Sequence, residues 1–363
     1  MWGYTFPMLI DVIKVFIPAT IAFTIGMLGT PALTAFLYRN ELWKKKAKTV
    51  AVDGGGTPIF NQLHAHKEVG TPKLGGVVIW VGALVTSLFF WVIDSATSID
   101  IFAKLDFVSR DQTWIPLTTL AIGGIVGAID DLLDIRGSKD HKAGGLSLTK
   151  RLWAVGIVGL LCALWFYLKL DVSSIGIPFA DNLELGVLFI PFFMLVTLAL
   201  YSGGVIDGID GLAGGLFATM FTAYGVIAFY QQQFNLSALC ATIVGALLAF
   251  LWFNIPPARF YMSETGSMAL TVTLAVVAFM TDALTERHGL FVLPLIALPL
   301  LVTTGSVILQ LLSKKYRGKK VFMVAPLHHH FEAIGWPAYK VTMRYWVLGV
   351  MCAVVGVTVA LLG

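Results

Sequence analysis

The chain has 363 residues, of which 57% are apolar and 13% are charged. An average soluble domain has about 45–50% apolar and about 25% charged residues, so this composition excludes an ordinary soluble globule. The net charge of +4 does not predict a nucleic-acid partner, and we expect none. Cys162, Cys240 and Cys352 lie in apolar runs without CxxC spacing, so neither a disulfide framework nor a cysteine zinc site is indicated.

Ten stretches are long and apolar enough to cross a hydrocarbon core, which takes about 20 helical residues. They are residues 15–38, 74–93, 114–129, 152–168, 186–206, 212–230, 236–254, 268–283, 290–312 and 345–362. Because backbone in lipid must satisfy its own hydrogen bonds, they predict an all-α, polytopic membrane protein with a single domain over residues 1–363. The first run is expected to remain as a membrane span. Pro294 and Pro299 predict a break or kink in the ninth span.

Basic residues are distributed unevenly between the loops. The loops 39–73, 130–151, 207–211, 255–267 and 313–344 carry 20 Lys and Arg, whereas the intervening loops carry 4. Cytoplasmic loops carry the excess of Lys and Arg, so we expect these five loops in the cytoplasm and both termini outside. Lys14, near the outer end of the first span, is a minor exception. The outer loop 169–185 alternates polar and apolar residues and predicts a small hairpin.

Acidic residues follow several spans on the predicted cytoplasmic side. Asp130 and Asp131 end the third apolar run, where carboxylates are costly and usually functional; a solvated helix end is the alternative. Adjacent residues on a helix point about 100° apart. The two carboxylates therefore face one site only if the helix ends there or another element wraps around it.

The segment GGVIDGIDGLAGG, residues 203–215, contains two further acids in a glycine-rich turn. Asp207 and Asp210 are three residues apart, which places them on one face if the turn is helical. Glycines let the backbone approach a ligand closely, and backbone amides can meet phosphate oxygens. A tight interhelical turn is the alternative, but two acids without a local basic partner favour a bound cation or substrate.

Glu264 follows the seventh span, after Asn254 and Tyr261. It is expected to join the four aspartates around a divalent cation, because magnesium prefers carboxylate, water and phosphate oxygens. Five acids would otherwise repel one another, unless a cation or a cationic substrate group lay between them.

Three successive histidines, His328, His329 and His330, follow the basic segment 314–320. They cannot all bind one tetrahedral zinc from a regular element, and their spacing differs from HExxH. Histidines beside Lys and Arg suit hydrogen bonds to phosphate. Attraction to anionic lipid headgroups is the alternative for the basic segment, and His64 and His66 are expected to be ordinary loop residues.

Taken together, these motifs resemble the membrane transferases that move a phospho-sugar from a UDP-sugar onto a polyprenyl phosphate. The motifs are GTPKLGG at 70–76, DD at 130–131, DGIDGLAGG at 207–215, FLWFN at 250–254 and APLHHHFEAIGWP at 325–337. The histidine motif with its GWP tail is most similar to the phospho-N-acetylmuramoyl-pentapeptide transferase family.

The resemblance implies a Mg²⁺-dependent transfer from UDP-MurNAc-pentapeptide to undecaprenyl phosphate with release of UMP. It also implies a bacterial inner-membrane location, a site facing the cytoplasm and a homodimer. The catalytic residues it implies are Asp130, Asp131, Asp207 and His329, with Glu264 and Asp207 as metal ligands. The implied substrate-binding residues are Thr71, Lys73, Gly208, Asp210, Asn254, Tyr261, His328 and His330, with Asn254 and Tyr261 in a uridine pocket.

Several positions depart from the family pattern. Glu264 stands where the family has Asp, and Glu68 and Asp134 stand where it has Lys. Lys73 stands where the family has Thr, and we expect it to compensate for the lysine missing at position 68. Gly204 and Ile206 replace the usual Asn and Thr ahead of the DGIDG segment.

Three other functions fit parts of this pattern. A sibling transferase with another UDP-sugar is favoured by the altered residues and opposed by the triple histidine. A binding paralogue without turnover is favoured by Glu264, which preserves the charge and changes the reach. A transporter is the weakest, because transporter sites generally lie near the bilayer midplane.

Overall fold

The computed structural model describes residues 5–45, 69–97, 99–109, 111–137, 145–283 and 289–363. Within these ranges, nine helices are long and apolar enough to cross a membrane. The prediction of an all-α, polytopic membrane protein is confirmed, and the placement of both termini outside stays a prediction.

The longer helices follow one another along the chain. They are α1 (Thr5–Arg39), α2 (Val77–Ala96), α4 (Trp114–Arg136), α5 (Leu148–Lys169), α6 (Phe189–Ser202), α7 (Leu212–Tyr230), α8 (Phe234–Asn254), α9 (Ser263–Ala283), α11 (Leu298–Arg317) and α13 (Ala338–Leu362). The short helices are α3 (Asp100–Leu105), α10 (Leu293–Ile296) and α12 (Leu327–Ala333), and 3₁₀ turns Gly186–Leu188 and Gly203–Ile206 flank α6.

The break or kink predicted for the ninth expected span, residues 290–312, is confirmed as a break. The span is divided into α10 and α11, with Ala297 between them. Pro294 and Pro299 lie in the first turns of these helices, where the missing proline N–H costs no intrahelical hydrogen bond. Helix α11 continues to Arg317 and is not among the nine candidate spans.

Helix α9 is the most buried of the nine spans and packs against α4 and α6. Glycines let neighbouring backbone approach its N-terminal end. A Cβ at Gly127 of α4 would collide with the Glu264 carbonyl, and one at Gly76 would collide with the Gly266 amide. Because α9 begins at Ser263, Glu264 lies in its first turn and not in the predicted loop 255–267. These close approaches bring α4 and the segment before α2 to the same helix end.

The predicted hairpin in the loop 169–185 is confirmed. Strands β1 (Ser174–Ile175) and β2 (Leu183–Glu184) are antiparallel. Asp282, at the C-terminal end of α9, connects this hairpin to the segment before α10 that contains Leu290. Its carboxylate accepts hydrogen bonds from the Gly176 amide at 3.1 Å and from the Leu290 amide at 2.8 Å.

Replacing Asp282 by Ala should therefore destabilise the fold. The variant leaves the Gly176 and Leu290 amides without this acceptor, and we expect the free energy of unfolding to fall by about 1–3 kcal/mol. Thermal unfolding in detergent measures the effect, with Asp181→Ala at an exposed position as the matched control. Equal stability of the two variants would contradict the role assigned to Asp282.

Candidate active site

Two aspartates bind the backbone at the N-terminus of α9. Asp207 Oδ2 accepts a hydrogen bond from the Ser263 amide at 2.8 Å. Asp131 Oδ2 accepts from the Thr265 amide at 2.9 Å and from the Thr265 hydroxyl at 2.6 Å. The first amides of a helix have no partner within the helix, and the helix dipole favours negative charge there. Asp131 and Asp207, two of the three predicted catalytic aspartates, therefore also accept hydrogen bonds from the first amides of the most buried span.

Arg151, in the first turn of α5, joins Asp130 to Glu264. Its Nε and Nη2 atoms bind the two oxygens of Asp130 at 3.0 Å and 2.9 Å, and Nη1 binds Glu264 Oε1 at 2.7 Å. The Leu146 amide adds a hydrogen bond to Asp130 Oδ1 at 2.6 Å. A planar guanidinium makes such two-pronged contacts with carboxylates. Asp130, predicted to be catalytic, and Glu264, predicted to bind the metal, thus share one cation.

Lys73 forms a second ionic centre on the other side of α4. Its Nζ lies 3.1 Å from Asp131 Oδ1 and 2.5 Å from Asp134 Oδ2, and Lys44 lies 3.3 Å from the same Asp134 oxygen. Burial lowers the pKa of Lys73, but the two carboxylates outweigh burial and hold the pKa above its ordinary value. Lys73 therefore stays charged and neutralises Asp131 and Asp134. Glu68, whose loss of positive charge Lys73 was expected to compensate, lies outside the described residues.

The turn that contains Asp207 and Asp210 is not helical. The 3₁₀ turn ends at Ile206, and Gly211 has φ of +76°, a conformation that favours glycine. The two aspartates would share one face only in a helical turn, and that condition is not met, because the backbone leaves the helix between α6 and α7. Asp207 binds the start of α9, whereas Asp210 accepts from the Ala258 amide at 3.3 Å. Burial raises the pKa of Asp207 to about 6, against the hydrogen bond from Ser263.

Asn254 stabilises the turn 207–211 through hydrogen bonds to backbone. Its Oδ1 accepts from the Gly211 amide at 2.9 Å, and its Nδ2 donates to the Phe260 carbonyl at 2.8 Å. The side chain is buried, and both ends of its amide bind backbone. Asn254 therefore shapes the turn that carries Asp207 and Asp210. Its predicted place in a uridine pocket stays a prediction.

Tyr261 joins the segment before α2 to the segment before α9. Its backbone amide donates to the Pro72 carbonyl at 2.8 Å, and its carbonyl accepts from the Gly75 amide at 2.9 Å. These bonds place the half-buried Thr71 and Lys73 near the start of α9. Residues of three distant sequence motifs thus meet at one end of the helix bundle.

The three histidines lie on α12 and have different surroundings. His328 and His329 are buried, and a Cβ at Gly208 would collide with Nε2 of both rings. His330 points elsewhere, since its Nδ1 accepts from the Met323 amide at 3.3 Å and its ring contacts Phe322. The glycine at position 208 is needed for the close approach of the first two imidazoles. His64 and His66 lie outside the described residues.

The donor atoms suit magnesium, although no cage is formed by protein alone. Among the described residues, no group of three or more His, Cys, Asp and Glu side chains is arranged to hold a metal ion. Magnesium commonly takes one or two carboxylates and completes its shell with water and substrate phosphates. Glu264 in the first turn of α9 and Asp207 bound to that turn provide two such carboxylates. This donor set fits an ion that binds together with a phosphorylated substrate.

Arg151, Asp134 and Lys44 are charged residues at this site that were not predicted to take part. The sequence signal for Arg151 was its place among the basic residues of the loop 130–151, but their number indicates orientation in the membrane and not a contact. Asp134 was noted only as a departure from a family pattern. Its position three residues after Asp131, one helical turn away, places both carboxylates within reach of one lysine.

Known proteins are similar to this chain over most of its length. A family model described as Glycosyl transferase family 4 matches residues 113–282. The phospho-N-acetylmuramoyl-pentapeptide-transferase of Listeria welshimeri is 33% identical over 349 residues, which cover 94% of this chain and 96% of the relative. The chain belongs to the phospho-N-acetylmuramoyl-pentapeptide transferase family. Members from Chloroflexus aurantiacus and Chloroflexus aggregans are 31% and 33% identical, covering 97% and 81% of this chain and 91% and 78% of the relatives.

The ionic centre around Lys73 predicts a measurable coupling with Asp134. Removing one member of a mostly buried ion pair leaves the other uncompensated, so Lys73→Met and Asp134→Asn should each destabilise the protein. In the double variant, the two losses should overlap by about 1–3 kcal/mol. Unfolding of the four proteins in detergent measures this coupling.

The exposed pair of Lys45 and Glu41 provides the control for this cycle. Its side chains are 54% and 64% exposed, and such pairs couple by less than about 1 kcal/mol. Additive effects at Lys73 and Asp134 would contradict the assignment of an ionic centre.

Proposed function

We propose that this protein transfers phospho-MurNAc-pentapeptide from the UDP-linked donor to undecaprenyl phosphate and releases UMP. An oxygen of the lipid phosphate forms a bond to the β-phosphorus of the donor. The bond between that phosphorus and the oxygen bridging to the α-phosphate breaks, and the electron pair leaves with UMP. The products are a lipid-linked pyrophosphoryl sugar and UMP.

The observation that carries this proposal is the collection of charged groups at one end of the bundle. Asp131, Asp207 and Glu264 meet at the start of α9, where the half-buried Lys73 and Arg151 contribute positive charge. A reaction between two anionic phosphates needs neutralisation of charge more than a strong base, because a phosphate monoester is already ionised near neutral pH. The site also lies at the end of the spans, which favours phosphate transfer over transport.

Arg151 and Lys73 are the groups of this chain that would bind the phosphates. Each is held by two carboxylates, so each is oriented before a substrate arrives. A phosphate group can replace a carboxylate group on the guanidinium, because each of these groups can accept two hydrogen bonds from it. With both of its oxygens on Arg151, Asp130 acts here by holding that cation rather than as an exposed nucleophile.

Magnesium is part of the proposal, with Glu264 and Asp207 as the residues that would hold it. When bound with the pyrophosphate, the ion would neutralise charge that develops on the departing UMP. The half-buried Tyr261 is proposed to lie beside the uracil, since a tyrosine face can stack on a planar base.

We also propose that the site faces the cytoplasm in a bacterial inner membrane. The support is the excess of Lys and Arg in the loops that carry the site residues. The homodimer and the lack of a nucleic-acid partner stay predictions from the sequence.

The decisive measurement is UMP release by the purified protein in detergent with UDP-MurNAc-pentapeptide, undecaprenyl phosphate and Mg²⁺. We expect release from the parent protein and a loss of about 100-fold or more in Asp207→Asn, because a group that stabilises transition-state charge is typically worth that much. Asp181→Asn, on the exposed loop between the strands, serves as the matched control. An active Asp207→Asn variant would contradict the site, and a folded but inactive parent would contradict the reaction.

The magnesium proposal is tested by a titration of the ion. In Glu264→Gln, the Mg²⁺ concentration for half-maximal release should rise about tenfold or more, because one ligand charge is lost. Glu41→Gln changes an exposed glutamate and should leave the titration as in the parent. Full activity of the parent after exhaustive chelation would remove magnesium from the proposal.

A further inference from the structure

Glu332 lies one helical turn after His329 on α12 and contacts its ring. The distance between His329 Nδ1 and Glu332 Oε2 is 2.7 Å, and the two side chains are 5% and 8% exposed. Exposed pairs of this spacing are common on helix surfaces and contribute little. The buried pair of His329 and Glu332 is different from such surface pairs. Removing its carboxylate from water costs free energy that a surface pair does not incur.

The contact favours one position for the proton of His329. An ionised carboxylate only accepts hydrogen bonds, so Nδ1 is the donor when Glu332 is ionised. The position of Gly208 shows where Nε2 points. A Cβ at Gly208 would collide with Nε2 of both His328 and His329. The ring is therefore held at one edge by Glu332 while its other edge faces the turn 207–211.

We propose that Glu332 is a positioning residue that keeps the proton of His329 on Nδ1 and directs Nε2 toward the turn 207–211, where the phosphates of a nucleotide substrate bind. The location of those phosphates rests on the function proposed above. In the neutral ring, Nε2 accepts a hydrogen bond from a protonated phosphate or water. In the imidazolium, the same nitrogen donates to a phosphate oxygen while Glu332 balances the added charge.

This arrangement separates Glu332 from the acids at the start of α9. Those acids bind Arg151, Lys73 or helix amides, whereas Glu332 binds a histidine on its own helix. The turn 207–211 thus carries the carboxylates of Asp207 and Asp210, and the imidazole edges of His328 and His329 lie against its Gly208. A substrate phosphate at this turn would meet Nε2 without contacting Glu332.

The first test is the protonation pattern of His329 in the full chain. Nitrogen NMR of the ¹⁵N-histidine-labelled protein in detergent distinguishes the two neutral forms, and a His329→Gln sample identifies the His329 signals. We expect the proton on Nδ1 in the parent and a loss of this single form in Glu332→Gln, because an amide can donate to Nδ1 as well as accept from it. A proton on Nε2 in the neutral ring of the parent overturns the proposal without any variant.

The second test separates positioning from a merely structural role. Glu332→Gln should lower kcat for UMP release by about tenfold or more, with a smaller change in KM for the donor, and Glu332→Asp should restore part of the rate. Glu41→Gln, an exposed glutamate, is the matched control and should keep the parental kcat. An unchanged kcat in a folded Glu332→Gln protein overturns the proposal, as does a loss explained wholly by reduced thermal stability.

The two measurements also separate this proposal from the proposed function. If the parent releases no UMP but shows the Nδ1 proton, and Glu332→Gln loses it, the reaction is wrong and the positioning is supported. If the parent releases UMP but carries the proton on Nε2, the reaction stands and the positioning is wrong.

Discussion

The start of helix α9 is the constraint on which the site depends. This helix is the most buried span, so the first amides of the helix cannot be left to water. Asp207 and Asp131 satisfy the amides of Ser263 and Thr265. The helix dipole favours both carboxylates in their charged form, against the cost of burial. Asp131 and Asp207 therefore both satisfy the backbone at the start of α9 and place negative charge at this end of the helix bundle.

The acids at this point do not repel one another because the chain supplies its own cations. The sequence predicted that five acids need a cation or a cationic substrate between them. Arg151 lies between Asp130 and Glu264, and Lys73 lies between Asp131 and Asp134. On the proposed function, a substrate phosphate would compete with these carboxylates for Arg151 and Lys73 instead of meeting an uncompensated acidic cavity. Lys73 remains charged throughout the neutral pH range, because its pKa is raised.

The sequence predicted the elements better than the contacts. Apolar length identified the spans, and alternation identified the strands, since both patterns follow from local burial. Pro294 and Pro299 predicted the break within residues 290–312. The pairing of Arg151 with Glu264 joins residues 113 positions apart, and no local pattern encodes such a distance. Likewise, Asn254 was predicted to line a uridine pocket, and in the structure both ends of its side-chain amide form hydrogen bonds with backbone. Polar residue types indicate that a partner exists without identifying it.

Asp130 and Asp131 illustrate how adjacent residues serve one site from opposite sides. Their side chains diverge by about 100° on α4, so a single partner cannot hold both. Helix α5 approaches one side and brings Arg151 to Asp130, while the segment before α2 and the start of α9 approach the other and bring Lys73 and Thr265 to Asp131. The result is two cationic centres separated by one helix. A reaction that joins two phosphate groups needs positive charge near each of them, and this arrangement supplies one protein cation on each side.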